Sequence, residues 1–121
     1  MLEVPPPAEL EPWTSRIGAE ATLKLIERHG GTRLYIPKAP NQGCALAREI
    51  GLEAALTLAA SWGGDWLRVP LARNWRVRLY RARGDSYPTI ARKLGLTEKA
   101  VWGHLNAASM TRRQLDLFSP S

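Results

Sequence analysis

A stretch of 24 residues that occurs twice limits what this chain can fold into more than any other feature. Ile17 to Pro40, IGAEATLKLIERHGGTRLYIPKAP, aligns without gaps on Ile50 to Arg73, IGLEAALTLAASWGGDWLRVPLAR, at an offset of 33 residues and with 11 identical positions. A unit of this size cannot bury its apolar face alone and buries it against its neighbour. Each copy reads as an amphipathic helix that ends at a glycine pair, followed by a short strand closed by proline. Gly30 and Gly63 stand where a left-handed C-cap is expected, a conformation open to a residue without Cβ. In the strands, expected at Arg33 to Ile36 and Trp66 to Val69, alternation puts Leu34, Ile36, Leu67 and Val69 on one buried face and Arg33, Tyr35, Trp66 and Arg68 on the other. Pro37 and Pro70 lack an N–H and end the ladder. Strands this short pair or they do not form, so Leu34, Tyr35, Ile36, Leu67 and Val69 are candidate sheet and dimerisation residues, pairing either within one chain or with a second copy. Ala47 to Leu52 also has the spacing that opens a helix-turn-helix. Thr57 falls where that motif needs a buried aliphatic, and the repeat accounts for more residues.

Charge divides the chain unevenly. Residues 1–72 carry 7 basic and 8 acidic side chains, whereas residues 73–121 carry 10 and 3, giving nets of −1 and +7. A polyanion is the expected partner of such a half. At 121 residues there is room for one ordinary domain or two small subdomains. Thr57 interrupts the longest apolar run, so no membrane span is expected, and the glutamates around Pro5 to Pro7 are unlike a secretory signal. A cytoplasmic location follows as the expectation. One cysteine, Cys44, and two separated histidines, His29 and His104, supply neither a disulfide nor a normal zinc ligand set. With no convergent nucleophile and base, no phosphate-cradling loop and no carboxylate pair in an apolar setting, neither an enzyme, a cofactor nor a small-molecule substrate is expected.

From Leu71 the periodicity becomes helical: Ala72, Trp75, Leu79 and Ala82 form one stripe, with Arg73, Arg76, Arg78, Arg81 and Arg83 around it. Gly84 and Asp85 break this helix. Ser86 is the expected N-cap of a second helix over about Tyr87 to Leu94, with Pro88 in its first turn. Thr97 caps a third, about Glu98 to Asn106. A helix-turn-helix needs a small residue where its helices cross, a positive φ in the turn and a shared apolar core. Ala91, Gly95 and the set Ile90, Leu94, Leu96, Val101 and Leu105 meet those needs.

Roles follow from how such a motif docks. The start and outer face of the third helix enter the major groove, which makes Thr97, Glu98, Lys99, Trp102, Gly103 and Asn106 the candidate base-reading set. Lys99 suits guanine O6 and N7, Asn106 adenine, Glu98 the cytosine amine, and Trp102 a thymine methyl or the sugar–phosphate wall; Gly103 allows close approach. Arg76, Tyr87, Thr89, Arg92, Lys93, Arg112 and Arg113 are the candidate phosphate contacts, which fix register without reading sequence.

Two blocks, GGTRLYIPK (Gly30 to Lys38) and LARNWRVRLYRARGDSYPTIARKLGLTEKAVWGHL (Leu71 to Leu105), resemble in content and order the Mor/C family of transcription activators of Mu-like phages. The first is similar to that family's glycine-rich turn and Tyr-Ile-Pro strand, the second to its basic helix and C-terminal helix-turn-helix. The resemblance implies an N-terminal dimerisation domain, a DNA-binding C-terminal domain, a homodimer on an imperfect inverted repeat near a promoter, and activation through contact with RNA polymerase. Where the family has a short linker, this chain has its second helix-strand unit, Ile50 to Arg73, which can satisfy within one chain the strand pairing that the family makes between two. Dimerisation is still expected, because one motif on one half-site rarely supplies enough specificity.

The expected architecture is therefore mainly α with a small β component. It comprises a disordered segment 1–13, duplicated helix-strand units over 14–71 pairing in a short antiparallel sheet, a helix-turn-helix domain over 72–113 and a flexible tail 114–121. The expected function is sequence-specific double-stranded DNA binding by a phage or prophage transcription regulator. A phage-derived adaptor or inhibitor that keeps the fold, or a repressor, is the alternative. An RNA or single-strand binder ranks lower, since most Trp residues stand at helix-core spacing and no platform of exposed aromatics is evident.

Overall fold

The structure, a computed structural model, describes residues 2–106. The chain is mainly helical with one two-stranded antiparallel sheet. A 3-10 turn at Ala8–Leu10 leads into α1 (Glu11–His29), followed by β1 (Arg33–Tyr35), α2 (Ala45–Ile50), α3 (Leu52–Trp62), β2 (Trp66–Arg68), α4 (Arg73–Ala82), α5 (Tyr87–Leu94) and α6 over residues 98–106. It divides into two compact units at Ala72 and Arg73. Among the described residues no helix is long and apolar enough to cross a membrane.

In the first unit β1 pairs with β2 of the same chain, in the register Arg33 to Arg68, Leu34 to Leu67 and Tyr35 to Trp66. The pairing is reciprocal at the offset of 33. The Gly31 N–H donates to Val69 O at 2.8 Å and the Gly64 N–H to Ile36 O at 2.7 Å; the Ile36 N–H donates to Asp65 O and the Val69 N–H to Thr32 O, both at 2.9 Å. Ile36 and Val69, one residue beyond the strands, are fully buried, while Leu34 and Leu67 are half-buried. Leu25 and Leu58, also 33 apart, are both sealed from solvent. α1 packs on α2 and α3, and Trp13 meets Trp62 at 5.1 Å between ring centroids.

The glycine pairs work differently from the expected C-caps. Gly30 (φ −52°, ψ 131°) and Gly63 (φ −56°, ψ 128°) are extended, and the positive φ falls on their successors, Gly31 at +82° and Gly64 at +89°. The first glycine of each pair answers to space instead. A Cβ on Gly30 would stand 2.6 Å from Ile26 O, and one on Gly63 2.7 Å from Ala59 O. Helices also break at equivalent places: α1 kinks at Gly18 (φ 83°, ψ 165°), and Gly51 (φ 92°, ψ 151°) separates α2 from α3. The buried Thr22 hydroxyl donates to Gly18 O at 2.7 Å, occupying a carbonyl at the kink. The opening segment departs from the expectation of disorder, because Leu2 and Leu10 are buried and α1 starts at Glu11, so apolar side chains between the prolines and glutamates anchor it.

The second unit joins α4, α5 and α6 around Val77, Tyr80, Ile90, Ala91 and Val101, with Tyr87, Leu94, Leu96 and Leu105 packed against them. Ser86 Oγ accepts from the Thr89 N–H at 3.3 Å to cap α5, and Pro88 occupies the first turn, where a missing N–H costs nothing. Gly95 ends α5 in the left-handed conformation (φ 66°, ψ 36°), and Thr97 Oγ1 accepts from the Ala100 N–H at 3.0 Å at the start of α6. The buried face of α4 is Trp75, Arg76, Val77, Leu79 and Tyr80, which corrects the expected stripe: Ala82 is exposed, and Ala72, at φ 48°, precedes the helix.

The two first glycines yield a test of the sheet. Gly30→Ala and Gly63→Ala should each lower stability by about 1–3 kcal/mol, since the added methyl must displace backbone. Urea unfolding of the two variants checks this; a loss from one and none from the other would break the equivalence.

Candidate nucleic-acid interface

In the second unit the sequence puts a surplus of positive charge on a short scaffold. Residues 73–106 hold eight Arg or Lys against Asp85 and Glu98. Arg73, Arg78, Arg81, Arg83, Arg92, Lys93 and Lys99 are exposed. Asp85 is engaged by Lys93 at 2.6 Å, and that ammonium also lies 4.9 Å from the centre of the Tyr80 ring. Arg81 lies over the Tyr87 ring at 5.2 Å and donates to the Asp85 carbonyl at 3.1 Å, which closes the break between α4 and α5.

On α6, Val101 and Leu105 turn into the core. Thr97, Glu98, Lys99 and Trp102 are exposed, Trp102 by 48%, while Gly103 and Asn106 are half-buried. At about 100° per residue, Glu98, Lys99, Trp102, Gly103 and Asn106 fall within one arc of about 140° on the helix. The structure thus brings five of the six base-reading candidates onto one side of the helix, while Thr97 lies outside that arc as its N-cap. The Asn106 amide nitrogen donates to Trp102 O at 2.8 Å. His104 faces α4, where the Asn74 amide nitrogen stands 3.5 Å from its Nδ1 and 3.4 Å from its carbonyl oxygen.

The candidate phosphate contacts do not form one set. Arg92 is exposed and Lys93 is shared with Asp85. Tyr87 and Thr89 are half-buried, and the Thr89 hydroxyl lies 2.8 Å from Ser86 Oγ. Arg76 is a correction. It is only 8% exposed, and its Nε donates to the Tyr80 hydroxyl one helical turn on, at 3.2 Å, so it belongs to the interior. Arg112 and Arg113 lie outside the described residues. Arg78 and Arg81, placed by the sequence only around the apolar stripe, are exposed on α4; their mutual i, i+3 spacing, which sets both on one side of the helix, is the signal for them.

The first unit holds an exposed feature that spacing alone had discounted. On the outer face of the sheet Tyr35 and Trp66 meet at 5.4 Å between ring centroids and are 43% and 63% exposed, with Arg33 and Arg68 opposed beside them. An aromatic pair next to two guanidinium groups is thus present, contrary to the expectation that exposed aromatics were lacking. Among the described residues no group of three His, Cys, Asp or Glu side chains gathers as metal ligands would.

Comparison with protein-family models, curated proteins and solved structures gives no match to this chain.

The placement of Arg76 separates two kinds of arginine. Arg76→Ala should cost about 1–3 kcal/mol of stability through the lost buried hydrogen bond, whereas Arg92→Ala should leave unfolding unchanged. Thermal or urea unfolding distinguishes them, and equal stability of both variants would contradict the interior role.

Proposed function

We propose that the chain is a sequence-specific double-stranded DNA-binding regulator of transcription, with α5 and α6 acting as a helix-turn-helix. The observation that carries this reading is the outward face of α6. It presents Lys99 and Trp102 beside Glu98 and Asn106, outside the helix side anchored by Val101 and Leu105, in the half of the chain with net charge +7. A helix of this diameter fits a major groove about 12 Å wide, and the arginines of α4 and α5 flank it for phosphates. The likeness to Mor/C activators quoted above supports a phage or prophage regulator that acts at a promoter with RNA polymerase. On the same reading the helix-strand halves of the first unit are duplicated units, and two copies of the chain bind an inverted repeat through a surface other than the β1–β2 ladder, which is already complete within one chain.

The Tyr35–Trp66 pair beside Arg33 and Arg68 favours a second reading, single-stranded nucleic acid, since stacking rings next to cations tolerate any base. Selection from a random duplex library, with single-stranded competitor and a Lys99/Trp102/Asn106 triple-alanine control, separates the two. The proposal expects an inverted repeat to be enriched, with the enrichment lost in the control. A single ungapped site would mean a monomeric reader, and complete displacement by the single-stranded competitor would favour the second reading. No enrichment by the folded protein would overturn DNA reading and leave the adaptor function.

A further inference from the structure

The chain has ten glycines, and nine of them have a reason within the chain to be glycine. Six take a positive φ, and at Gly30, Gly63 and Gly43 a Cβ would come within 3.3 Å of another atom. Gly103 alone has neither feature. It lies in the helical run 98–106, and a Cβ there would meet nothing within 4 Å among the described residues. Glycine in a helix interior loses more backbone entropy than alanine and weakens the helix. Nothing described within the chain compensates for this.

Its position on α6 points outside the chain. Two residues along a helix turn it by about 200°, so Gly103 lies opposite both Val101, which is fully buried, and Leu105, which packs on the same core. It therefore points away from those two core anchors, and the space beside it is open among the described residues. Lys99 lies one turn before it, Asn106 one turn after it, and the exposed Trp102 beside it. We infer that Gly103 is the point of closest approach of α6 to the floor of the major groove, a specificity-determining notch that lets Lys99 and Asn106 on either side reach base edges. This rests on the duplex-DNA reading above. A side chain at that position would hold the helix away from the bases, and a hydrogen bond to a base edge is lost within a few tenths of an ångström beyond its usual length.

The test uses the full chain and the duplex recovered by selection. Gly103→Ala and Gly103→Leu introduce strong helix formers into open space, so both variants should unfold at higher urea concentration than the native chain. Their affinities for the selected duplex should fall in order of side-chain size, by roughly tenfold or more for alanine and further for leucine. Raised stability with weakened binding is the opposite of what damage to the fold produces. Unchanged affinity in both variants would overturn the notch while leaving the DNA reading intact, and a loss of stability would overturn its premise, that the chain makes no use of the missing side chain. Failure of the native chain to select any duplex would overturn both.

Discussion

The first unit depends on one interaction, the pairing of two three-residue strands that are each too short to exist alone. Four hydrogen bonds beyond the ladder itself, donated by Gly31, Gly64, Ile36 and Val69, tie the end of each strand to the turn that precedes the other. These bonds require the chain to leave each helix sharply, and the glycine pairs permit that. One glycine lets the backbone lie against the last helical carbonyls, and the next takes the left-handed turn. Ile36 and Val69 are then carried into the interior, where Leu25 and Leu58 are also fully buried. Because one chain supplies both strands, this core needs no second copy to close it.

The second unit is organised by different means. Its helices are short, eight residues in α5, and short helices are marginal unless their ends are satisfied and one face is packed. Ser86, Gly95 and Thr97 satisfy the ends, and Val77, Tyr80, Ile90 and Val101 provide the packing. Tyr80 links packing to charge. Its ring is buried, its hydroxyl accepts from Arg76, and its face lies near the ammonium of Lys93. The basic surface is thereby held on a core containing few apolar residues.

Features decided by local chemistry were legible in the sequence. Strand alternation, the Ser86 and Thr97 caps and the span of α5 depend on residues within a few positions of one another, and the sequence contains all of them. Contacts between distant residues were harder to read. The repeat located both glycine pairs, but which glycine turns left-handed depends on where Ile26 O and Ala59 O lie once the helices end. Arg76 looked like a surface charge because stripe counting began from Ala72, whereas the buried face is centred between Trp75 and Tyr80 and encloses the arginine. Most tryptophans stand at helix-core spacing, which drew weight from Tyr35 and Trp66, although strand alternation already puts both on the outer face. Leu2 and Leu10 were overlooked among prolines and glutamates, where composition suggested disorder and burial depended on a partner surface elsewhere in the first unit. The face of α6 was readable by residue, the close approach allowed by Gly103 included; the structure adds that the other nine glycines have features of their own that Gly103 lacks.

The central claim is that the basic second unit binds duplex DNA through its phosphates and reads it with α6. Its most direct test is the affinity of the chain for its selected duplex across a series of salt concentrations. If about six phosphates are neutralised, the logarithm of the association constant should fall against the logarithm of salt with a slope near −5. A flat response would mean that no phosphates are neutralised on binding and would contradict the account.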